Sequence, residues 1–136
     1  MEKIFSKISE DVLLHIVNRK DSITENRMDL SPESEYLQVS TFKMKEGKTF
    51  RPHEHIIQVK KTKKTQESWV VISGKVKVFY YDLDRTMLCE KILQPGDCSI
   101  TLHGGHNYLC LEDDTVIYEF KTGPYNGRDK DKEYID

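Results

Sequence analysis

Three adjoining pieces decide how this chain reads: Gly47-Lys-Thr-Phe-Arg-Pro-His53-Glu-His55, a basic run of eleven residues, and Glu67-Ser-Trp-Val-Val-Ile-Ser-Gly74. His53 and His55 lie two apart, so on a strand both rings point to one face. Glu67 opens a second run of strand-forming residues, and its carboxylate meets the two imidazoles if that run lies beside the first. Two imidazoles and a carboxylate suit a borderline divalent ion such as Zn, Fe, Mn, Co or Ni. Without such a neighbour, the same histidines are two solvated side chains on an edge strand.

Downstream of Gly74 the pattern is all strand and turn. Residues 75–81 alternate Lys75 and Lys77 against Val76 and Val78, which predicts a half-buried strand. Asp82-Leu-Asp84 is a turn, 86–93 another strand, and Gln94-Pro-Gly96-Asp a tight turn. Strands are predicted at 98–102, 108–111 and 115–121, with His103-Gly-Gly-His106 and Glu112-Asp-Asp114 between them. Upstream, 36–45 and 49–57 read as strands, with Pro52 marking an edge or a strand start. The four lysines of Val59-Lys-Lys-Thr-Lys-Lys64 read as a solvated, mobile hairpin tip, since no aromatic interleaves them as it would in a nucleic-acid contact.

Residues 3–19 place Ile4, Phe5, Ile8, Val12, Leu13, Ile16 and Val17 at helical spacing, and Ser9 is a candidate N-cap, so a short helix is expected over about residues 10–18. His15 on it reads as a surface or packing histidine. The expected organisation is an N-terminal helix and loop over 1–35, an antiparallel β-barrel or jelly roll over 36–125, and a polar tail over 126–136.

The chain has 136 residues, 37% of them hydrophobic and 32% charged, which fits one small domain with a modest core. No apolar run approaches the ~20 residues a membrane span needs, and the N-terminus lacks a signal-peptide core, so a cytoplasmic protein is expected. A net charge of -2 gives no reason to expect nucleic acid. Cys89, Cys98 and Cys110 have no metal-type spacing and read as buried free thiols.

Gly47, His53, His55, Glu67 and Gly74 resemble the first cupin motif, with five residues before His53 and six between Glu67 and Gly74. The departure is the gap of eleven residues between His55 and Glu67, longer than the motif's usual three or four. The second motif fits more loosely around His106: Gly96 lies one residue too close, and Thr101, His103 and Cys110 replace the usual proline, glycine and asparagine. The ending Glu119-Phe-Lys121-Thr-Gly123-Pro124-Tyr125 is similar to that of WbuC-type cupin-fold metalloproteins, found with surface-polysaccharide genes.

The resemblance implies a cupin barrel and one metal held by His53, His55, Glu67 and His106, with His103 as a competitor for the fourth place. Cupins are often dimers, and the expected N-terminal helix is a candidate dimer element. Arg51, two residues before His53, is a candidate for gripping a carboxylate or phosphate, or a rim arginine. Tyr108, two after His106, is a candidate proton donor or a packed phenol. Trp69 and Val71 share the Glu67 face. Glu119 reads as outward and solvated, with Lys121 as its partner if it turns inward.

Three functional classes remain open. They are a metal-dependent isomerase, epimerase or lyase on a sugar-like or anionic small molecule, an iron-dependent small-molecule oxygenase, and a non-catalytic ligand-binding module. A narrower fourth idea is a metal-free sugar ketoisomerase in which a histidine pair moves a proton.

Overall fold

The computed structural model describes residues 1–135. Its strands are β1 (Glu2–Phe5), β2 (Leu13–Asn18), β3 (Arg27–Asp29), β4 (Ser40–Phe42), β5 (Glu67–Ser73), β6 (Val76–Tyr81), β7 (Met87–Leu93), β8 (Cys98–Thr101), β9 (Gly105–Cys110) and β10 (Val116–Lys121). All pair antiparallel. One sheet runs β1-β2-β8-β5-β10, a second β7-β6-β9, and β3 with β4 forms a separate hairpin. The sheets do not close into a barrel.

Between the two large sheets lies an apolar cluster of Val17, Val71, Val76, Val78, Tyr80 and Leu93, each fully buried. The period-two alternation of β6 puts Val76, Val78 and Tyr80 on this inner face. At ~1.5–3 kcal/mol per buried aliphatic side chain, this cluster is the main cohesive term between the sheets. The other face of the five-stranded sheet is covered too. Ile16, Cys98, Ile100 and Leu102 pack there under Leu30, Met28, Leu37 and Val39.

That second cover explains the first correction. No helix forms over residues 10–18; β1 and β2 take its place, with Ile4 opposite His15 and Glu2 opposite Val17. Because β2 is buried on both faces, Ile16 joins one cluster while Val17, with His15 against Tyr80, joins the other. A strand apolar on both sides loses its period-two signature and mimics helical spacing. Ser9 caps nothing. The Ser6 hydroxyl instead accepts the amides of Ile8 (3.2 Å) and Ser9 (3.0 Å) and donates to Asp82 (2.6 Å), fixing the β1–β2 turn. With no helix there, the proposed dimer element disappears.

The second correction concerns 49–57, which is irregular rather than a strand, and of 36–45 only β4 is extended. A strand exists by pairing, Pro52 has no amide to give, and no strand lies alongside this segment. Ile56, Ile57 and Val59 are 85%, 98% and 86% exposed in consequence. The lysine run is exposed and irregular as well, and joins no hairpin. Of the cysteines, Cys98 is buried, Cys89 half-buried and Cys110 exposed, so the expectation of three buried thiols fails at Cys110, which ends β9.

Candidate functional site

Strand register builds a polar row at one end of the inter-sheet space. His15 pairs with Thr101, Thr101 with Glu67, and Glu67 with Lys121, so four polar side chains cross the five-stranded sheet in line. The next inward row is Val17, Ser99, Trp69 and Glu119. On the facing sheet His106 pairs with Tyr80, and Tyr108 with Val78. Part of these rows, Glu67, Trp69, Thr101 and Glu119 with His106 and Tyr108 opposite, lines a cavity of about 600 Å³.

The sheets meet chemically at Glu67 and His106. His106 Nε2 lies 3.0 Å from Glu67 Oε1. A carboxylate accepts only, so Nε2 carries the proton, and in the neutral ring Nδ1 is the acceptor. Nδ1 is buried and has no hydrogen-bond partner. Glu67 is 8% exposed. Burial pushes its carboxyl up, but the hydrogen bond and charge of His106, with help from Trp69 and Lys121, outweigh this and hold it below the usual carboxylate range.

Trp69 stacks flat on Tyr108, centroids 3.7 Å apart and planes 2° off parallel. Its indole N–H donates to Glu119 at 3.2 Å. The Tyr108 hydroxyl meets Ser99 at 3.2 Å, and Ser99 meets Tyr80 at 2.7 Å. Burial raises the Tyr108 phenol well above its ordinary value, partly offset by Ser99. Its hydroxyl is therefore protonated at neutral pH and occupied within the protein, while its ring backs Trp69. Glu119 lies on the cavity side of its strand, contrary to the outward reading, but stays exposed as expected, 3.4 Å from the Lys121 ammonium, which also meets Asp131 at 3.2 Å. Burial pulls Lys121 down, but Asp131 and Glu119 outweigh it and raise the ammonium above its usual range.

His15 is fully buried behind this row. Its Nε2 lies 3.2 Å from the Tyr81 carbonyl and its Nδ1 3.1 Å from the Thr101 hydroxyl. The carbonyl fixes the proton on Nε2, so Nδ1 accepts from Thr101. Gly104 makes this approach possible. Its φ is +76°, and an added Cβ would stand 2.5 Å from the Tyr81 oxygen and 3.3 Å from His15 Nε2.

The structure thus brings two of the four expected metal ligands together, Glu67 and His106. His53 and His55 lie on the exposed 49–57 segment, ring centroids 5.6 Å apart, with His53 Nδ1 turned to the Arg51 carbonyl at 2.9 Å. Among the described residues no three His, Cys, Asp or Glu side chains gather as a metal site. As placed, the four do not make a coordination shell. Arg51 is exposed on the same segment, and His103 is exposed outside the cavity wall.

Sequence reasoning missed the role of His15 and Thr101, whose signal was strand parity, hidden by the helical misreading. It also missed residues 131–135, which line the cavity; the apolar Tyr134-Ile135 pair is their one sequence mark. No helix of the described residues is long and apolar enough to cross a membrane. No protein-family model, curated protein or solved structure matches the chain.

Proposed function

We propose that this chain acts on a neutral, hydroxyl-rich small molecule of the sugar type, with Glu67 and His106 moving a proton as in an isomerase or epimerase. The observation that carries this is the Glu67–His106 pair in the wall of an inter-sheet cavity. With its Nε2 proton held by the carboxylate, His106 is left with an Nδ1 lone pair that is buried without a partner, and this atom acts as the base once the wall over it opens. Removing a proton from a carbon next to a carbonyl makes an imidazolium, which Glu67 neutralises; the electron pair moves onto the carbonyl oxygen as an enediolate. Returning the proton to the neighbouring carbon isomerises the sugar, and returning it to the same carbon on its opposite face, from another donor, epimerises it.

The lining supports a neutral ligand over an anionic one. Glu67, Glu119, Asp131 and Glu133 face the cavity against two ammonium groups, Lys132 in its wall and Lys121, which pairs with Glu119 and Asp131. Carboxylates accept sugar hydroxyls and repel phosphate. Trp69 adds an aromatic surface of the kind that packs on the C–H face of a sugar. The likeness to WbuC-type cupins supports the same ligand class in polysaccharide assembly. The test is deuterium wash-in: a panel of aldoses and ketoses is incubated in D₂O and followed by proton NMR. Exchange next to the carbonyl is expected with the wild type and lost by about 100-fold or more in Glu67→Gln and His106→Gln. Sugar binding without exchange would replace the enzyme with a binding module, and neither binding nor exchange sinks both.

A divalent ion is the second candidate, favoured by one observation. β9, which carries His106, has a free edge, while 49–57 has strand-forming residues and no partner. Added to that edge, this segment would extend the smaller sheet as a jelly roll requires and bring His53 and His55 towards Glu67 and His106. Metal analysis of protein purified under metal-replete conditions, with His53→Ala, His55→Ala, His103→Ala and His106→Ala alongside, decides it. A wild type without metal rejects the ion, and bound iron with oxygen uptake points to the oxygenase.

A further inference from the structure

We propose that the C-terminal segment, residues 128–135, is a hinged wall of the half-open cavity that shields Trp69 and swings away to widen access for a ligand. This rests on the cavity being the ligand site, and it concerns a part of the chain that the proton-transfer chemistry does not use. The segment begins with a single helical turn, α1 (Arg128–Asp131), after Gly127 at φ +98°. Asp131, Glu133, Tyr134 and Ile135 then run along the cavity that Glu67, Trp69 and His106 line from the other side.

What holds this wall is sparse. No strand pairs with it, so no backbone ladder fixes it to either sheet. Asp131 takes the Lys121 ammonium at 3.2 Å and the Thr65 hydroxyl at 3.5 Å. Glu133 meets Arg85 at 3.0 Å, with both side chains mostly in solvent. The Ile135 side chain lies in a notch left by Gly105, where an added Cβ would stand 2.3 Å from its Cδ1. The exposed Glu133–Arg85 pair holds weakly, so the half-buried Asp131–Lys121 pair is the main polar tie, and a segment with so few contacts opens far more often than the domain unfolds. The wall therefore has a latch, Asp131 on Lys121, and a pin, Ile135 at Gly105, and either can let go without disturbing the sheets.

Trp69 is the only tryptophan in the chain, so its fluorescence reports on this wall directly. Acrylamide quenching of the full chain is compared with that of a variant ending at Gly127, and with Asp131→Asn and Ile135→Ser. Removing the segment is expected to raise the quenching slope about twofold or more and shift emission to the red, with thermal unfolding nearly unchanged. The two point variants should fall between, and they carry the test if the shortened chain does not fold. Equal quenching in the full and shortened chains, or in the full chain and both point variants, overturns the proposal. So does quenching of the full chain as fast as free N-acetyltryptophanamide. A monosaccharide arm separates the two ideas. If D-glucose and D-fructose protect Trp69 in neither protein while truncation still raises quenching, the wall stands and the sugar site fails.

Discussion

His15 makes the stability of this protein depend on pH in a calculable window. Burial pulls its imidazole down to about 4 from an ordinary 6.5. The Tyr81 carbonyl works against this by favouring the protonated ring, as does Asp82 at longer range, while His106 and His103 repel a charge there. Folded, the ring is neutral near neutral pH; unfolded, it takes a proton from about 6.5 downward. The unfolded state thus binds more protons between 6.5 and 4, and stability falls as the pH falls through that window. With about 1.4 kcal/mol per pH unit, the loss from pH 7 to pH 4 is roughly 3 kcal/mol. Glu67 and Asp82 have lowered carboxyls, so their contributions are full above the ordinary carboxylate range and are lost as the pH falls through and below it, alike in the wild type and a His15 variant. The assay is urea unfolding at several pH values for the wild type and for His15→Gln, whose amide can still donate to Tyr81 and accept from Thr101. With a urea slope of about 2 kcal/mol per molar, the wild-type midpoint should fall about 1.5 M further than the variant's between pH 7 and 4. Parallel pH profiles for the two proteins would refute the assignment of the buried, neutral ring.

Gly104→Ala should cost about 2–3 kcal/mol by denaturant unfolding, since it adds both a left-handed alanine and a contact with the Tyr81 oxygen; an unchanged midpoint would show that this turn relaxes freely. Val78→Ala, at a fully buried position, should cost about 2 kcal/mol while sugar exchange is retained, and loss of exchange in a folded variant would contradict that separation. Tyr80→Phe should cost about 1 kcal/mol in the same unfolding assay, because the Ser99 hydroxyl keeps Tyr108 at 3.2 Å after losing Tyr80 at 2.7 Å; a loss of several kcal/mol would mean the hydroxyl chain acts as one unit.

From β5 to β10 the strands were legible in the sequence because each is bounded by turn residues, except that β9 begins at Gly105, so His106 lies in the strand and not in the expected 103–106 turn. Gly74 and Lys75 separate β5 from β6, Asp82-Leu-Asp84 separates β6 from β7, and Gln94-Pro-Gly96-Asp separates β7 from β8. The N-terminal third was not, for two opposite reasons. β2 is apolar on both faces, so its periodicity carries no information about strand or helix. The segment 49–57 has the composition of a strand, yet pairing depends on a neighbour that composition cannot specify. For the site, Glu67 and His106 stood out as a carboxylate opening a strand and a histidine beside a glycine turn. Their meeting, the placing of Glu119 on the cavity side and the burial of His15 depend on cross-strand register, which becomes visible only once the sheet order is known.

The inter-sheet space is apolar at one end and polar at the other, with the Tyr80–Ser99–Tyr108 hydroxyls at the boundary. Cohesion therefore comes largely from Val71, Val76, Val78 and Leu93, and the proposed chemistry from Glu67, His106 and their neighbours, on different stretches of the same strands. Substitutions at the polar end remove little buried apolar surface, so they draw on little of the folding free energy. Such a scaffold can change what it recognises in small steps without passing through unfolded intermediates. Its ligand should be the most readily altered property in related chains, and the valine layer the least.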